Sequence, residues 1–207
     1  MRFLFALAVF AAVTVTASAQ AILGLGPDDV QAGTYVIDTN ETLVRYGTIH
    51  MGFNEFWGTF PGATGTMTIN PKALADTKLD VTVPVATVET TNRILNGYLF
   101  SDSFLDAAKY PTMHFVSTKI SRTGTTTAKV TGNLTLHGVT KQIELDVTFI
   151  GAGPNAFSKV PTIGFEAEGA VNRSDFGVGK DVPLVSDRTT IAISAAFEKK
   201  PDAATPQ

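Results

Sequence analysis

Apolar and polar residues alternate with a period of two over most of this chain, which places the apolar side chains of each segment on one face of an extended strand. Leu79, Val81, Val83 and Val85 alternate with Asp80, Thr82, Pro84 and Ala86. Ile143, Leu145, Val147 and Phe149 alternate with Glu144, Asp146 and Thr148. The same period runs through Ile163, Phe165 and Ala167, and again through Ile191, Ile193, Ala195 and Phe197. Further strands are expected over residues 33–38, 42–49, 53–60, 62–70, 112–121 and 125–137. Asn70-Pro71, Thr123-Gly124 and Gly151-Ala152-Gly153-Pro154 read as turns between them. Only residues 92–108 depart from the pattern: Ile94, Leu95, Tyr98, Leu99 and Leu105 have helical spacing. One or two short helices are expected there, with Ser101 or Asp102 as N-cap of the second.

Many strands with one short helical insertion make an all-β, antiparallel fold whose sheet edges must be covered or paired. Closing the sheet into a barrel of about eight strands removes the edges, and leaves an interior that is either filled by side chains or holds one slender ligand. A sandwich would show the same alternation, so periodicity leaves both architectures open.

Composition narrows the function. The 207 residues are 44% hydrophobic and 17% charged, which excludes a disordered chain. Sixteen basic against 19 acidic residues give a formal charge of -3, too little positive charge for a nucleic-acid binder. With no Cys there is no disulfide framework, thiolate zinc site or thiol nucleophile. At the N-terminus, Met1-Arg2, the uncharged run Phe3–Val15 and Ala17-Ser18-Ala19 form a signal peptide, residues 1–19, with cleavage expected before Gln20. The run is shorter than the roughly 20 residues of a membrane span. Loss of Arg2 would leave a charge of -4 on an exported protein, periplasmic in a Gram-negative source. Residues 20–32 read as a flexible lead-in, 33–198 as one domain and 199–207 as a disordered tail.

Signatures of catalysis are missing. Gly-x-Ser-x-Gly does not occur, and Gly177-Val178-Gly179-Lys180 is followed by Asp181 in place of the Ser or Thr of a phosphate loop. Glu166 and Glu168 share one strand face, most simply the solvated one. His50, His114 and His137 are each more than 20 positions apart and lack metal-ligand spacing. His137, at a strand end before Gly138, suits a structural hydrogen bond to a loop. Phe53, Phe56, Phe60, Phe100, Phe104, Phe115, Phe149 and Phe165 could wall a ligand chamber, or could be ordinary core. Arg173, where a strand breaks toward a Gly-rich loop, either donates to a ligand head group or pairs with Asp175 or Asp106 to pin that loop.

Four blocks bring a known family into view. They are Tyr35-Val36-Ile37-Asp38 with Ile49-His50-Met51-Gly52-Phe53 and Gly58-Thr59-Phe60; Ser101-Asp102-Ser103-Phe104-Leu105-Asp106 with Lys109-Tyr110-Pro111 and Phe115; the run Val130–Lys141; and Asn172-Arg173-Ser174-Asp175-Phe176-Gly177. In this order they resemble the YceI-like family of exported polyisoprenoid-binding proteins. The resemblance implies a lipocalin-like barrel enclosing an isoprenoid lipid in an apolar tunnel, with no catalysis and no cofactor. It also implies a periplasmic location and a cytochrome b561-type membrane protein as partner. A homodimer through an exposed sheet face fits the same picture. The insertion at 92–108, including Leu99 and Phe100, would lid the tunnel. A filled barrel that docks to a membrane redox partner or an envelope protein is the alternative.

The lone Trp lies in Phe56-Trp57-Gly58, outside a Gly-x-Trp signature, so the likeness to lipocalins is architectural only. Two departures from the family pattern stand out. Glu41-Thr42 replaces a His-Ser pair, and Leu95-Asn96-Gly97-Tyr98-Leu99-Phe100 replaces a segment with two Arg and a His. The second departure implies a less charged ligand head group.

Overall fold

A computed structural model describes residues 26–201; the expected signal peptide and the end of the expected tail lie outside the described residues. Among the described residues ten strands form: β1 (Gly33–Ile37), β2 (Leu43–His50), β3 (Asn54–Phe60), β4 (Thr64–Ile69), β5 (Lys78–Pro84), β6 (Thr112–Arg122), β7 (Thr127–Leu136), β8 (Val139–Pro154), β9 (Pro161–Asn172) and β10 (Val185–Lys199). They pair antiparallel in the order β1-β4-β5-β6-β7-β8-β9-β10-β2-β3, and a further β1–β10 pairing closes the ring. β10 meets β2 along Val185–Ser194 and β1 along Phe197–Lys199, so β1 and β2 are two halves of one bent stave. β3 and β4 are the matching halves of the next stave. The result is a closed antiparallel barrel of eight staves, as the barrel reading predicts, and not a sandwich.

Two expectations are corrected. Gly151–Pro154 is not a turn: β8 runs through it, paired with Pro161–Gly164 of β9 after a register shift between Phe149 and Gly151. That bulge absorbs one residue and lets two glycines and a proline stay in the ladder. The second helix does not form either. Helix α1 (Arg93–Phe100) is capped by Asn92, whose side chain accepts from the amides of Ile94 and Leu95. Beyond it the chain doubles back: Leu105, Asp106 and Ala107 donate to the carbonyls of Leu99, Ser101 and Phe100. These bonds satisfy the carbonyls that a helix end leaves orphaned, and Asp106 takes a positive φ of 47° to make the return.

The barrel has two distinct ends. At the mouth lie the β2–β3 turn, the 177–184 loop and α1. The turn His137-Gly138 there has both residues at positive φ, the two-residue hairpin geometry for which glycine is suited. At the base lie the 123–126 and 155–160 turns, the helical turn Pro71–Asp76 and the lead-in. The described part of the lead-in, residues 26–32, is tied to the barrel. Pro27–Asp29 forms a helical turn, Val30 is buried in the core, and Tyr35 donates its hydroxyl hydrogen to Gln31 O at 2.8 Å. Strand β10 likewise extends into the expected tail, with Lys200 N donating to Thr34 O at 2.8 Å. No helix among the described residues is long and apolar enough to cross a membrane.

Candidate functional site: a tunnel along the barrel axis

Alternation gives every stave an inward row, and these rows do not fill the interior. They surround a cavity of about 470 Å³ that runs from mouth to base. Along β10 the wall is Val185, Thr189, Ile191, Ile193, Ala195 and Phe197. That row spans roughly 40 Å of extended strand, about 30 Å along the axis at the usual barrel tilt. The opposite wall includes Phe115, Ile120 and Val130, and the base is reached at Thr77 and Thr125–Thr127. Arg122 ties off the base turn, donating from Nε to Gly124 O and from Nη2 to Thr125 O at 2.9 and 2.8 Å.

Aromatic rings line much of the length. Phe149, Phe165 and Phe197 meet edge-on in series, with centroids 5.9 and 6.1 Å apart. Tyr46 lies flat against β3 only because its neighbour is Gly58, where a Cβ would come within 2.5 Å of the ring. Burial pushes the Tyr46 phenol up to about 12.

The mouth is where polarity concentrates. Arg173 is 5% exposed and sits 5.7 Å from the Phe104 ring centroid. Its guanidinium donates to four backbone carbonyls: Nε to Ser186 at 2.9 Å, Nη1 to Val178 at 2.8 Å and Lys180 at 2.5 Å, and Nη2 to Val185 at 2.8 Å. Both ends of the 178–186 segment are therefore held by one side chain. Burial lowers the Arg173 pKa, and the nearby Asp187 and Asp181 oppose that shift. Across the opening, Tyr98 of α1 donates its hydroxyl hydrogen to Asp181 Oδ2 at 3.1 Å, and the Lys180 ammonium lies 4.9 Å from the Tyr98 ring centroid. Leu95 and Leu99, on the same helix, face the cavity.

The predicted site residues divide cleanly. Phe56, Phe60, Leu99, Phe104, Phe115, Phe149, Phe165 and Arg173 all border the tunnel. Phe53 does not: it is 85% exposed on the β2–β3 turn, because its position falls one residue before β3 begins. Phe100, the last residue of α1, packs against the core and is also off the wall. Arg173 pins its loop through backbone carbonyls and not through Asp175 or Asp106. His137 makes the expected structural contact, its Nδ1 3.2 Å from Phe176 O. His114 pairs with Asp80 at 2.7 Å on the outer face, and His50 stands at the mouth near Phe56. Among the described residues no three His, Asp or Glu side chains converge on a common point.

Sequence reasoning did not single out Thr42, Thr48 and Tyr46 on the wall. They share parity with Val44 in β2, and that parity was the available signal. Tyr98, Lys180 and Asp181 are different. They meet only through the fold, Tyr98 and Asp181 standing 83 positions apart in the chain.

Comparison with known proteins agrees with this architecture. Residues 35–197 match the family model of the YceI-like domain. A UPF0312 protein of Pseudomonas fluorescens is 35% identical over 181 residues, covering 84% of this chain and 90% of that protein. Protein YceI of Escherichia coli O157:H7 is 34% identical over 165 residues, covering 79% and 85%. Among solved structures, BcnA of Burkholderia cenocepacia superposes with a TM-score of 0.70 at 25% identity, covering 77% of this chain and 98% of that one. A polyisoprenoid binding domain from Saccharophagus degradans, implicated in plant cell wall breakdown, superposes with a TM-score of 0.62. It covers 82% of this chain and 100% of its own, at 12% identity, a likeness of fold alone. A match to the family model over nearly the whole barrel, with relatives above 30% identity across most of their length, places the chain in the YceI-like family.

Proposed function

We propose that this protein is an exported, noncatalytic lipid carrier that holds a polyisoprenoid or isoprenoid-quinone-like chain along the barrel axis, in the periplasm of a Gram-negative source. The observation that carries the reading is the tunnel itself: long, narrow and apolar over nearly its whole wall. Each buried methylene contributes about 0.8 kcal/mol, so some 25 carbons already reach the noncovalent ceiling near 20 kcal/mol. Chain ordering offsets part of that gain. Affinity therefore needs no strong polar contact, and length and head group decide selectivity. A polyisoprenoid-binding domain of the same fold supports the class of ligand.

The mouth supports a head group of low charge. Leu95 and Tyr98 border the cavity in the segment where the resemblance leads one to expect basic residues, and Arg173 has spent four of its five N–H donors on backbone carbonyls. Native mass spectrometry of protein isolated from its own cell envelope tests the reading. The expected spectrum carries a noncovalent adduct whose mass, after organic extraction, is that of a neutral or weakly polar isoprenoid. Ligand-free protein that takes up neither a polyprenol nor an isoprenoid quinone would overturn the proposal; an adduct dominated by pyrophosphate species would overturn its head-group part.

A further inference from the structure

Six of the nine large exposed apolar side chains of the described residues gather at the mouth; Trp57, Ile150 and Phe157 lie elsewhere. Met51, Phe53, Val182 and Leu184 are 52%, 85%, 40% and 63% exposed. They stand on two neighbouring tips, the β2–β3 turn and the 177–184 loop, joined where Met51 N donates to Leu184 O at 2.7 Å. Ile49 follows on β2, and Ile94 is 87% exposed on α1. Each tip adjoins a residue of the tunnel wall: His50 precedes Met51, Val185 follows Leu184, and Lys180 and Asp181 precede Val182. The patch is thus the outer lip of the opening, with His50, Lys180 and Asp181 between it and the apolar interior. Clustered exposure of this kind marks a surface that is covered in use.

We infer that this lip is a bilayer-docking surface, through which Phe53 and Leu184 enter the head-group layer so that cargo passes between membrane and tunnel without crossing water. The inference rests on the carrier reading above. Three features select a bilayer as occupant. The patch is made of convex tips, which sink into a deformable interface. Its charges are mixed in sign, Lys180 and Arg93 standing with Asp181, Asp102 and Glu55, so no strongly charged partner is matched. And the lip surrounds the opening through which an insoluble chain must leave. The contact is apolar and transient, since only a few side chains insert and no electrostatic attraction adds to them.

The absence of Cys makes a direct test available, because Met51→Cys and Phe157→Cys each create a unique labelling site. Phe157 is 96% exposed on the base turn and serves as control. In the full chain, an environment-sensitive fluorophore at position 51 should brighten and shift to the blue on mixing with phosphatidylethanolamine–phosphatidylcholine vesicles, while one at 157 does not. Joint Phe53→Asp and Leu184→Asp substitution should lower vesicle co-flotation about tenfold at low and high salt alike, with melting temperature and bound-lipid mass unchanged. No response at position 51, or an equal response at 157, would overturn the docking surface and turn attention to a protein partner. Lipid-loaded protein whose lip ignores vesicles refutes docking alone; a lip that inserts on a barrel that never holds lipid refutes the carrier reading alone.

Discussion

Arg173 is a charge buried in order to shape a loop. Its four carbonyl contacts span residues 178–186, and a shorter Lys cannot reproduce a planar fork that reaches four acceptors. Arg173→Ala should cost about 3–5 kcal/mol, the range for breaking a buried charge network, and lower Tm by roughly 10 °C. Thermal denaturation followed by circular dichroism checks this; a variant as stable as the parent but unable to retain lipid would make Arg173 a head-group ligand instead. Ala167 tests the wall. It lines the tunnel between Val147 and Ile193, where a larger side chain projects into open space. Ala167→Phe should reduce bound lipid at least tenfold by mass spectrometry while leaving Tm unchanged or higher, as cavity-filling changes do.

At the scale of elements, the mouth is a contact between a short helix and a stapled loop. The loop is fixed by Arg173, and the Tyr98–Asp181 bond with the adjacent Lys180 ties α1 to it across the opening. Tyr98→Phe keeps the ring and Asp181→Asn keeps a residue at ease with its φ of 65°. Stopped-flow with a fluorescent fatty-acid probe should show each variant speeding uptake and release together, about three- to tenfold, with Kd unchanged. A changed Kd with unchanged rates would make Tyr98 a binding residue and not a latch. A second tie is acid-sensitive. Asp187 accepts from the Ser174 amide at 2.8 Å and hydroxyl at 2.6 Å, which holds its carboxyl below the usual range. The depressed pKa means its stabilisation is present above the ordinary value near 4 and is lost as pH falls through the lower, folded one. Urea titrations across that window should show a loss that Asp187→Asn removes.

Elements also show what the sequence could and could not disclose. Alternation located all ten strands because a barrel wall has one dry face, and a one-residue slip would turn that face to solvent. It misjudged Gly151–Pro154 because local turn chemistry was outweighed by pairing with β9, a partner chosen by the closed sheet. The second helix failed for the same reason, since carbonyls of Leu99 and Phe100 recruited the following segment. Wall residues could be read from parity; the latch could not, because nothing local in Tyr98 or Asp181 refers to the other.

For the whole molecule, a barrel with an empty axis forgoes the packing that a filled interior would contribute. Cargo restores those contacts, so protein and lipid stabilise one another. At a hundredfold excess over Kd a ligand adds about 2.7 kcal/mol, so delipidated protein should melt roughly 5–10 °C below the loaded form, as calorimetry would reveal. Equal melting temperatures would argue that no ligand belongs inside. The central claim, that the axis is a dry channel for one apolar chain, is tested most directly by a crystal structure of the protein purified with its native cargo. The account predicts one continuous, elongated density from Tyr98 past Phe165 to Thr126, without ordered water beside it. A file of hydrogen-bonded waters along that path, or side chains collapsed across it, would contradict it.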